Sequence, residues 1–439
     1  MSDANWRTEQ AVQAFYAQDP DREWERMARH RTEFAVTLRA LKDHLPPPPA
    51  AILDCGGGPG RYAIELTQRG YHVTLFDLSP ELLMLARERA TEAGVTLAGF
   101  EEGTAIDLDR FDDGEFDAVL LMGPLYHLLD ETKRRQALAE ARRVVKPGGP
   151  VFAAFIARYA GHIDAAAGYP ERAAEIADVY RHIATNGVEP PGEAAGGRFV
   201  AYFAHPDEIE PLCRAAGLEP IVLLGVEGVV SGHEDKVNAL SGDAWDFWVE
   251  TNYQIGHDPS LHGGVEHLLA ICRHPKWRPV LRQLAEELHD LDANYRVVGG
   301  ASLALRGLPV EVHDLDLEMD ATSAYALMDH YADHTTLPLA WRENASIRSH
   351  FGHLEIDGFR IEIITDLERR LGERWVPSFV STNELVDLDG AAIHVTALEE
   401  ETLAYVRRGR LERAAVMLPH CDAARLLDLL RRAVEQGRL

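Results

Sequence analysis

The stretch ILDCGGGPGRYA, Ile52 to Ala63, runs from an apolar segment through an acidic residue and a cluster of glycines into the start of a helical pattern. Its first residues belong to AAILDC, which reads as a buried strand, and helical spacing follows from Arg61 to Arg69. Gly56, Gly58 and Gly60 let the backbone turn tightly and approach a ligand without a Cβ in the way. The helix behind them offers unpaired N–H groups. The next strand-like run, YHVTLFD, closes on Asp77, 23 positions after Asp54, where a carboxylate can accept hydrogen bonds from both hydroxyls of a ribose. Such a turn suits a ligand that contains a nucleoside.

Strands and helices keep alternating outward from this point. A helical pattern from Pro80 to Thr91 is followed by FDAVLLMG and PVFAAFIA, so a parallel sheet with helices on both faces is expected: a doubly wound, Rossmann-like α/β fold. Upstream, LPPPPA, Leu45 to Ala50, holds the chain extended and separates a polar helical region from the series. Downstream, the alanine-rich segment 158–197 interrupts the alternation and reads either as a lid over a pocket or as a variable surface insertion. FVAYFAH and LEPIVLLG restore strand-like runs around a helix, and the stretch from Ala244 to Arg273 reads as mostly helical. HPKWRP, His274 to Pro279, is the expected boundary between a domain at 1–275 and a smaller α+β domain at 276–439.

A chain of 439 residues exceeds one ordinary hydrophobic core, in keeping with two domains. Its 71 acidic against 44 basic residues give a formal charge of −27, a field that repels polyanions and argues against nucleic acid as a partner. No apolar run approaches the roughly 20 residues needed to cross a bilayer. MSDANWRTEQ lacks the basic flank and apolar stretch of a secretory signal, so a soluble, cytoplasmic protein without a membrane partner is expected. Cys55, Cys213, Cys272 and Cys421 are far apart with no CxxC, which argues against a disulfide framework and against a thiolate zinc site.

The first domain resembles the class I S-adenosylmethionine-dependent methyltransferases from about Trp6 to Arg273, through ILDCGGGPGRYAIEL, VTLFDLSPELLMLARE, FDAVLLMGPLYHL and EARRVVKPGG in that order. The resemblance implies S-adenosylmethionine as cofactor. Asp54 and the loop Gly56, Gly58 and Gly60 would hold its methionine part, Asp77 its ribose, and Leu78 would pack on its adenine. Many relatives carry Asp after the third strand, where this chain has Thr104; Asp107 stands three positions on as a substitute or as a solvated loop carboxylate. Tyr16 either closes over the cofactor, as in relatives, or packs as an ordinary aromatic.

Methyl transfer depends mainly on positioning and desolvation, so a base is optional. GPLYHLLD, Gly123 to Asp130, follows the fourth strand at the sheet edge where doubly wound folds bind ligands. Tyr126 and His127 are the catalytic candidates there, His127 either as a base toward a small-molecule methyl acceptor or as a residue that shapes the pocket. The alternative for this half is a dinucleotide-binding oxidoreductase.

VVGGASLALRGLPVEVHDLDLEMD, Val297 to Asp320, carries a second chemistry. Asp314 and Asp316 at i and i+2 on a strand face the same way and can hold Mg²⁺ against a triphosphate. Gly299 and Gly300 let the backbone near the phosphates, with the Ser302 hydroxyl as a further contact. Asp357-Gly358 signals a hairpin whose second strand offers Glu362 as third metal ligand and as base toward an acceptor hydroxyl. The paired glycines and DxD are the signature of the polymerase-β-type nucleotidyltransferase fold. From about Tyr295 to Leu418 the chain looks like a bacterial family of nucleotidyltransferase-like domains, also through IRSHFGHLEIDGFRIEIITDLERRL and LEEETLAYVRRGRLERA. Relatives tend to carry lysines near Arg407 and Arg413; Arg348 and Arg360 are further phosphate candidates, or surface ion-pair residues.

The expected protein is thus a bifunctional modifier of small molecules: methyl transfer with S-adenosylmethionine by the first domain and nucleotidyl transfer with Mg²⁺ and a nucleoside triphosphate by the second. In the alternative, the second domain is a nucleotide-binding regulator, or a module that tethers or oligomerises the methyltransferase.

Overall fold

The computed structural model describes residues 3–189, 201–377 and 383–435. It divides into two compact units, Met1–His274 and Pro275–Leu439. Among the described residues no helix is long and apolar enough to cross a membrane.

The first unit contains strands β1 (Ala51–Cys55), β2 (His72–Asp77), β3 (Gly99–Glu102), β4 (Ala118–Leu121), β5 (Pro150–Ala157), β6 (Phe203–Ala204), β7 (Glu219–Gly225) and β8 (His267–Arg273). Its helices are α1 (Asp3–Gln18), α2 (Pro20–Arg29), α3 (Arg31–His44), α4 (Arg61–Gln68), α5 (Pro80–Glu92), α6 (Glu131–Val144), α7 (Ala160–Gly168), α8 (Ala173–Asn186), α9 (Pro206–Ala215), α10 (Glu234–Asn238) and α11 (Gly242–Ile255). The strands lie in the order β3-β2-β1-β4-β5-β8-β7, with β6 pairing β5. Neighbours from β3 to β5 are parallel, and β8 runs antiparallel to both β5 and β7.

The period of two along each strand builds a core on each face. Leu53, Val119 and Leu121 join one cluster, while Ile52, Leu120 and Phe152 join the other. Strand order reverses between β1 and β4, so the ligand-binding crevice lies past their carboxyl ends.

HLLAICR was expected in a helix, but it is β8, paired with Val151 through Cys272 and with Leu224 through Leu269. Helix α11 ends at Ile255, and a short 3₁₀ turn, Pro259–Gly264, leads into the strand. A run buried on both faces has no alternation to separate strand from helix, so its place between two strands decides. Of FVAYFAH, only Phe203–Ala204 forms a strand among the described residues. The described part of the 158–197 segment is mainly the helices α7 and α8; residues 190–197 lie outside the described residues.

The second unit contains α12 (Trp277–Asp290), β9 (Tyr295–Val298), α13 (Gly299–Ala304), β10 (Leu315–Met319), α14 (Ala321–His330), β11 (Thr335–Glu343), β12 (Ile347–Ile356) and β13 (Phe359–Leu371). It continues with β14 (Arg374–Pro377), β15 (Asn383–Leu388), β16 (Ala391–Thr396), α15 (Leu398–Arg407), α16 (Leu411–Met417) and α17 (Ala423–Glu435). The sheet order is β11-β12-β13-β10-β9-β16-β15, with β14 on β13. Asp357 and Gly358, at φ 50° and 71°, form the tight turn between β12 and β13. Strand β13 then runs parallel to β10, setting Glu362 beside Asp316. Ile361 and Ile363 point the other way, into the core with Leu315, Leu317 and Leu284.

Strand β8 supplies the stability test. Ile271 is fully buried and Arg273 exposed. Ile271→Ala should lower the unfolding free energy of the first unit by about 2–5 kcal/mol, and Arg273→Ala by no more than about 0.5 kcal/mol, in urea titrations followed by circular dichroism. Equal small effects would contradict a strand buried on both faces.

Candidate functional sites

At the end of β1 the chain turns through Gly56–Gly60 into α4. Gly56 sits at φ 78°, and a Cβ there would lie 2.4 Å from Pro124 Cδ, so this position needs glycine on both conformational and packing grounds. The loop is pinned from β2: Gly58 N donates to Asp77 Oδ2 at 2.8 Å, and Ser79 N to Asp77 Oδ1 at 2.9 Å. Asp54 is 1% exposed; its carboxylate oxygens make no close hydrogen bond among the described residues, and the Ala63 backbone N–H only partly offsets its burial. Burial, then the neighbouring Asp77 charge, pushes Asp54 up to about 7. Burial outweighs the backbone donors at Asp77 and raises it to about 6.

These groups border a cavity of about 340 Å³ that Leu78, Thr104, Tyr126 and His127 also line. Helix α1 contributes Val12, Gln13 and Tyr16, and Gln13 Nε2 donates to the Leu78 carbonyl at 2.8 Å, which holds the helix over the end of β2. Tyr16 Oη lies 3.1 Å from His127 Nε2, with the rings edge-on. Burial pushes the His127 imidazole down to about 3, so it is uncharged at neutral pH and weakly basic. Burial also raises the hydroxyls of Tyr16 and Tyr126. Asp107 is exposed, turned toward the backbone N–H of Asp109, and does not border the cavity.

A second cavity, about 240 Å³, shares Tyr16, Glu23, Arg26, Tyr62, Met122 and Tyr126 with the first and extends to Glu33 and His267. No described residue from 158 to 189 lines either cavity; helices α1 and α2 supply the cover instead.

In the second unit Asp316 on β10 lies beside Glu362 on β13, and Asp314 stands one position before β10 begins. Burial first, then Asp314 and Glu362, raises Asp316 to about 7. Gly299 is at φ 72°, and a Cβ there would stand 2.3 Å from Asp316 Oδ2. The Gly299 N–H donates to Glu401 Oε1 at 2.6 Å; the other Glu401 oxygen has no hydrogen-bond partner among the described residues, and burial raises this acid to about 7 as well. Gly300 follows, packed near the Glu311 carbonyl. Ser302 is fully buried and accepts a hydrogen bond from Arg306 at 2.8 Å, so its hydroxyl turns inward. Arg408 acts on both Asp316 and Glu401. Burial, then Arg408 and Arg407, lowers Arg369 to about 10. Arg348 is paired with Glu368 and stacked on Trp375, Arg360 lies 3.5 Å from Glu362, and Arg413 stands beside Tyr405.

A family profile described as "Methyltransferase domain" matches residues 52–149. A ubiquinone biosynthesis O-methyltransferase of Ralstonia nicotianae is 32% identical over 211 residues, covering 48% of this chain and 73% of that protein. The chain belongs to the S-adenosylmethionine-dependent methyltransferases. Over 139 residues the methyltransferase unit is also 34% identical to a glycine/sarcosine N-methyltransferase of Parasynechococcus marenigrum, covering 30% of this chain and 48% of that protein. The chain spans about half the length of most of the curated relatives it matches. In the second unit, residues 280–418 match a profile described as "Aminoglycoside-2''-adenylyltransferase", a nucleotidyltransferase-type family. A solved candidate nucleotidyltransferase of Thermotoga maritima is 33% identical, covering 33% of this chain and 91% of that protein at a TM-score of 0.30.

Several site residues of the methyltransferase chain are absent from the sequence reading: Gln13, Arg26, Glu33 and His267 in the first unit, Arg369, Glu401 and Arg408 in the second. Two of them leave a legible signal. Glu401 shares a helix face with Leu398, Thr402 and Tyr405, and Glu33 with Val36, Thr37 and Ala40, all buried. An acid on an otherwise buried stripe needs a partner or a ligand.

Asp54 and Asp77 make the methyltransferase unit sensitive to pH before cofactor binds. Their raised values mean that their contribution to stability is full below about pH 4 and is lost as pH rises through about 6 to 7. A cationic ligand favours the ionised acids, so S-adenosylmethionine binding near pH 6.5 should release protons. Calorimetry in two buffers of different ionisation enthalpy should therefore give different heats, and Asp54→Asn should narrow the difference to what Asp77 contributes. Identical heats for the native chain would contradict this.

Proposed function

We propose that the methyltransferase unit transfers a methyl group to a small molecule and that the second unit transfers a nucleotide with Mg²⁺. The first part is carried by the buried, unpartnered Asp54 carboxyl beneath the glycine loop: an acid without a counter-cation suits the ammonium and sulfonium of S-adenosylmethionine. When bound, that cofactor supplies an electrophilic methyl group. Asp54 and Gly56, Gly58 and Gly60 hold the methionine end, and Asp77, while bracing the loop, retains lone pairs for ribose hydroxyls. Leu78 packs on adenine, and Thr104 takes the place of the acid many relatives carry. Tyr16, braced by His127, and Tyr126 close the wall toward the second cavity, keep water out and orient the acceptor. Relatives are named for oxygen and for nitrogen methylation, so the acceptor atom is set by that cavity rather than by the cofactor site.

In the second unit Asp314, Asp316 and Glu362 are the metal residues, with Glu362 also next to the acceptor hydroxyl. The raised value of Asp316 and the unpartnered oxygen of Glu401 mark a site with more acid than cation, which Mg²⁺ would relieve. Gly299 and Gly300 border the triphosphate, and Arg369, Arg407, Arg408 and Arg413 supply positive charge. A hydroxylated polyamine, such as the aminoglycoside in the matched family's name, suits a chain of net charge −27, which draws cations and repels nucleic acid. The second reading is a nucleotide-binding regulator without turnover. It is favoured by one fact: Asp314, Asp316 and Glu362 do not bring one oxygen each within 4.8 Å of one another. We assign both units to the cytoplasm, where the four cysteines remain thiols.

Two assays on the full chain separate these readings. Isotope-labelled S-adenosylmethionine with a metabolite extract should yield a labelled product by mass spectrometry, and Asp77→Ala should abolish it. Nucleoside triphosphates with Mg²⁺ and aminoglycoside acceptors should release pyrophosphate, and Asp316→Asn should abolish that release while methyl transfer persists. Metal-dependent nucleotide binding without pyrophosphate supports the regulatory reading; no binding at all contradicts both.

A further inference from the structure

We infer that Glu401 is a positioning residue of the second unit: by accepting the Gly299 N–H it sets the turn against which the Asp316 carboxylate rests, and so fixes that carboxylate for a divalent cation. The inference rests on the reading of Asp316 as a metal residue. It adds to that reading a group that acts through the backbone rather than on the metal.

The turn from β9 into α13 passes through Gly299 at φ 72°. A Cβ at this position would stand 2.3 Å from Asp316 Oδ2 and 3.4 Å from Asp316 Cγ, so the carboxylate lies directly against the Gly299 backbone. Strand pairing explains the approach, because Asp316 stands opposite Val298, the last residue of β9. Any rotation of the Gly299 peptide therefore moves the surface that supports Asp316. A metal ligand needs support to within about 0.5 Å if the site is to keep its geometry.

A side chain from far along the sequence holds that peptide. The Gly299 N–H donates to Glu401 Oε1 at 2.6 Å, across 102 positions. Glu401 is 6% exposed, on a face of α15 that it shares with the buried Leu398, Thr402 and Tyr405. Burial raises this acid, and the Gly299 N–H, Arg408, Arg306 and the Ser302 hydroxyl act against it in that order. The far end of α13 has its own anchor, since Arg306 donates to the Ser302 carbonyl at 3.0 Å and to the Thr396 carbonyl at 2.7 Å. Arg306 thus ties α13 to β16, and Glu401 ties its first residue, the one beside Asp316, to α15. With its N–H committed to Glu401, Gly299 offers a triphosphate space rather than a donor.

The test titrates the full chain with Mn²⁺ alone and follows the free ion by electron paramagnetic resonance. Glu401→Leu suits the apolar face of α15 but removes the acceptor and leaves the Gly299 N–H buried without a partner. It should weaken Mn²⁺ binding by at least about tenfold, the scale on which groups that orient metal ligands act. Glu401→Gln keeps a carbonyl oxygen for that N–H and should stay within about threefold of the native affinity. Gly299→Ala drives a Cβ into Asp316 Oδ2 and should match the loss in Glu401→Leu, which carries the test if the leucine variant does not fold. Circular dichroism identifies the folded variants. Native-like Mn²⁺ affinity in a folded Glu401→Leu or Gly299→Ala chain would overturn the assignment. So would a loss in Glu401→Gln as large as in Glu401→Leu, since charge rather than the bond would then be responsible. Failure of the native chain to bind Mn²⁺ would instead refute the metal-binding reading beneath it.

Discussion

Two backbone N–H groups, from Gly58 and Ser79, converge on the carboxylate of Asp77, and the methyltransferase site depends on that convergence. The first bond ties the loop after β1 to the end of β2. The second sets the start of α5, which Ser79 then caps through Leu82 N. With the loop fixed, Gly56 passes close to Pro124, so the carboxyl ends of β1, β2 and β4 close around one space. The same geometry leaves Asp54 buried and unpartnered a short way from Asp77. Two like acids raised to about 7 and 6 are a cost to the empty unit that a cationic ligand would remove.

What the sequence reveals follows the range of the interactions. The glycine turn, Asp77, the hairpin at Asp357-Gly358 and the pairing of Asp316 with Glu362 rest on local periodicity and on short, regular connections, and each is legible. Strand β8 is not, because an apolar run buried on both faces fits helix and strand equally until its neighbours are known. The cover of the cofactor cavity also escapes the sequence. It comes from α1, where Gln13 reaches Leu78 across 65 positions, rather than from the alanine-rich segment that looks like an insertion. His127 illustrates the limit for single residues. Its chemistry is that of a base in water, and only burial beside Tyr16 turns it into an uncharged brace. Ser302 likewise turns inward to Arg306, a pairing four positions along one helical turn that its hydroxyl alone does not announce.

Unlike folds use the same electrostatic device in the two units. In each, a glycine in the left-handed region opens space beside a buried acid, Gly56 near Asp54 and Gly299 against Asp316. In each, burial first and then like charges nearby raise the acid to about 7. The cluster of Glu33, Glu227 and His267 is the counter-example. There Arg26 and the imidazolium supply the missing cations from within the protein, and Glu33 is held near 2, its burial outweighed first by Arg26 and then by His267. An acid that the chain itself neutralises has no need of a cationic ligand, whereas one left high and unpartnered does. Buried acids therefore separate into those whose charge the protein itself balances, as at Glu33, and those left high beneath a glycine turn, as at Asp54.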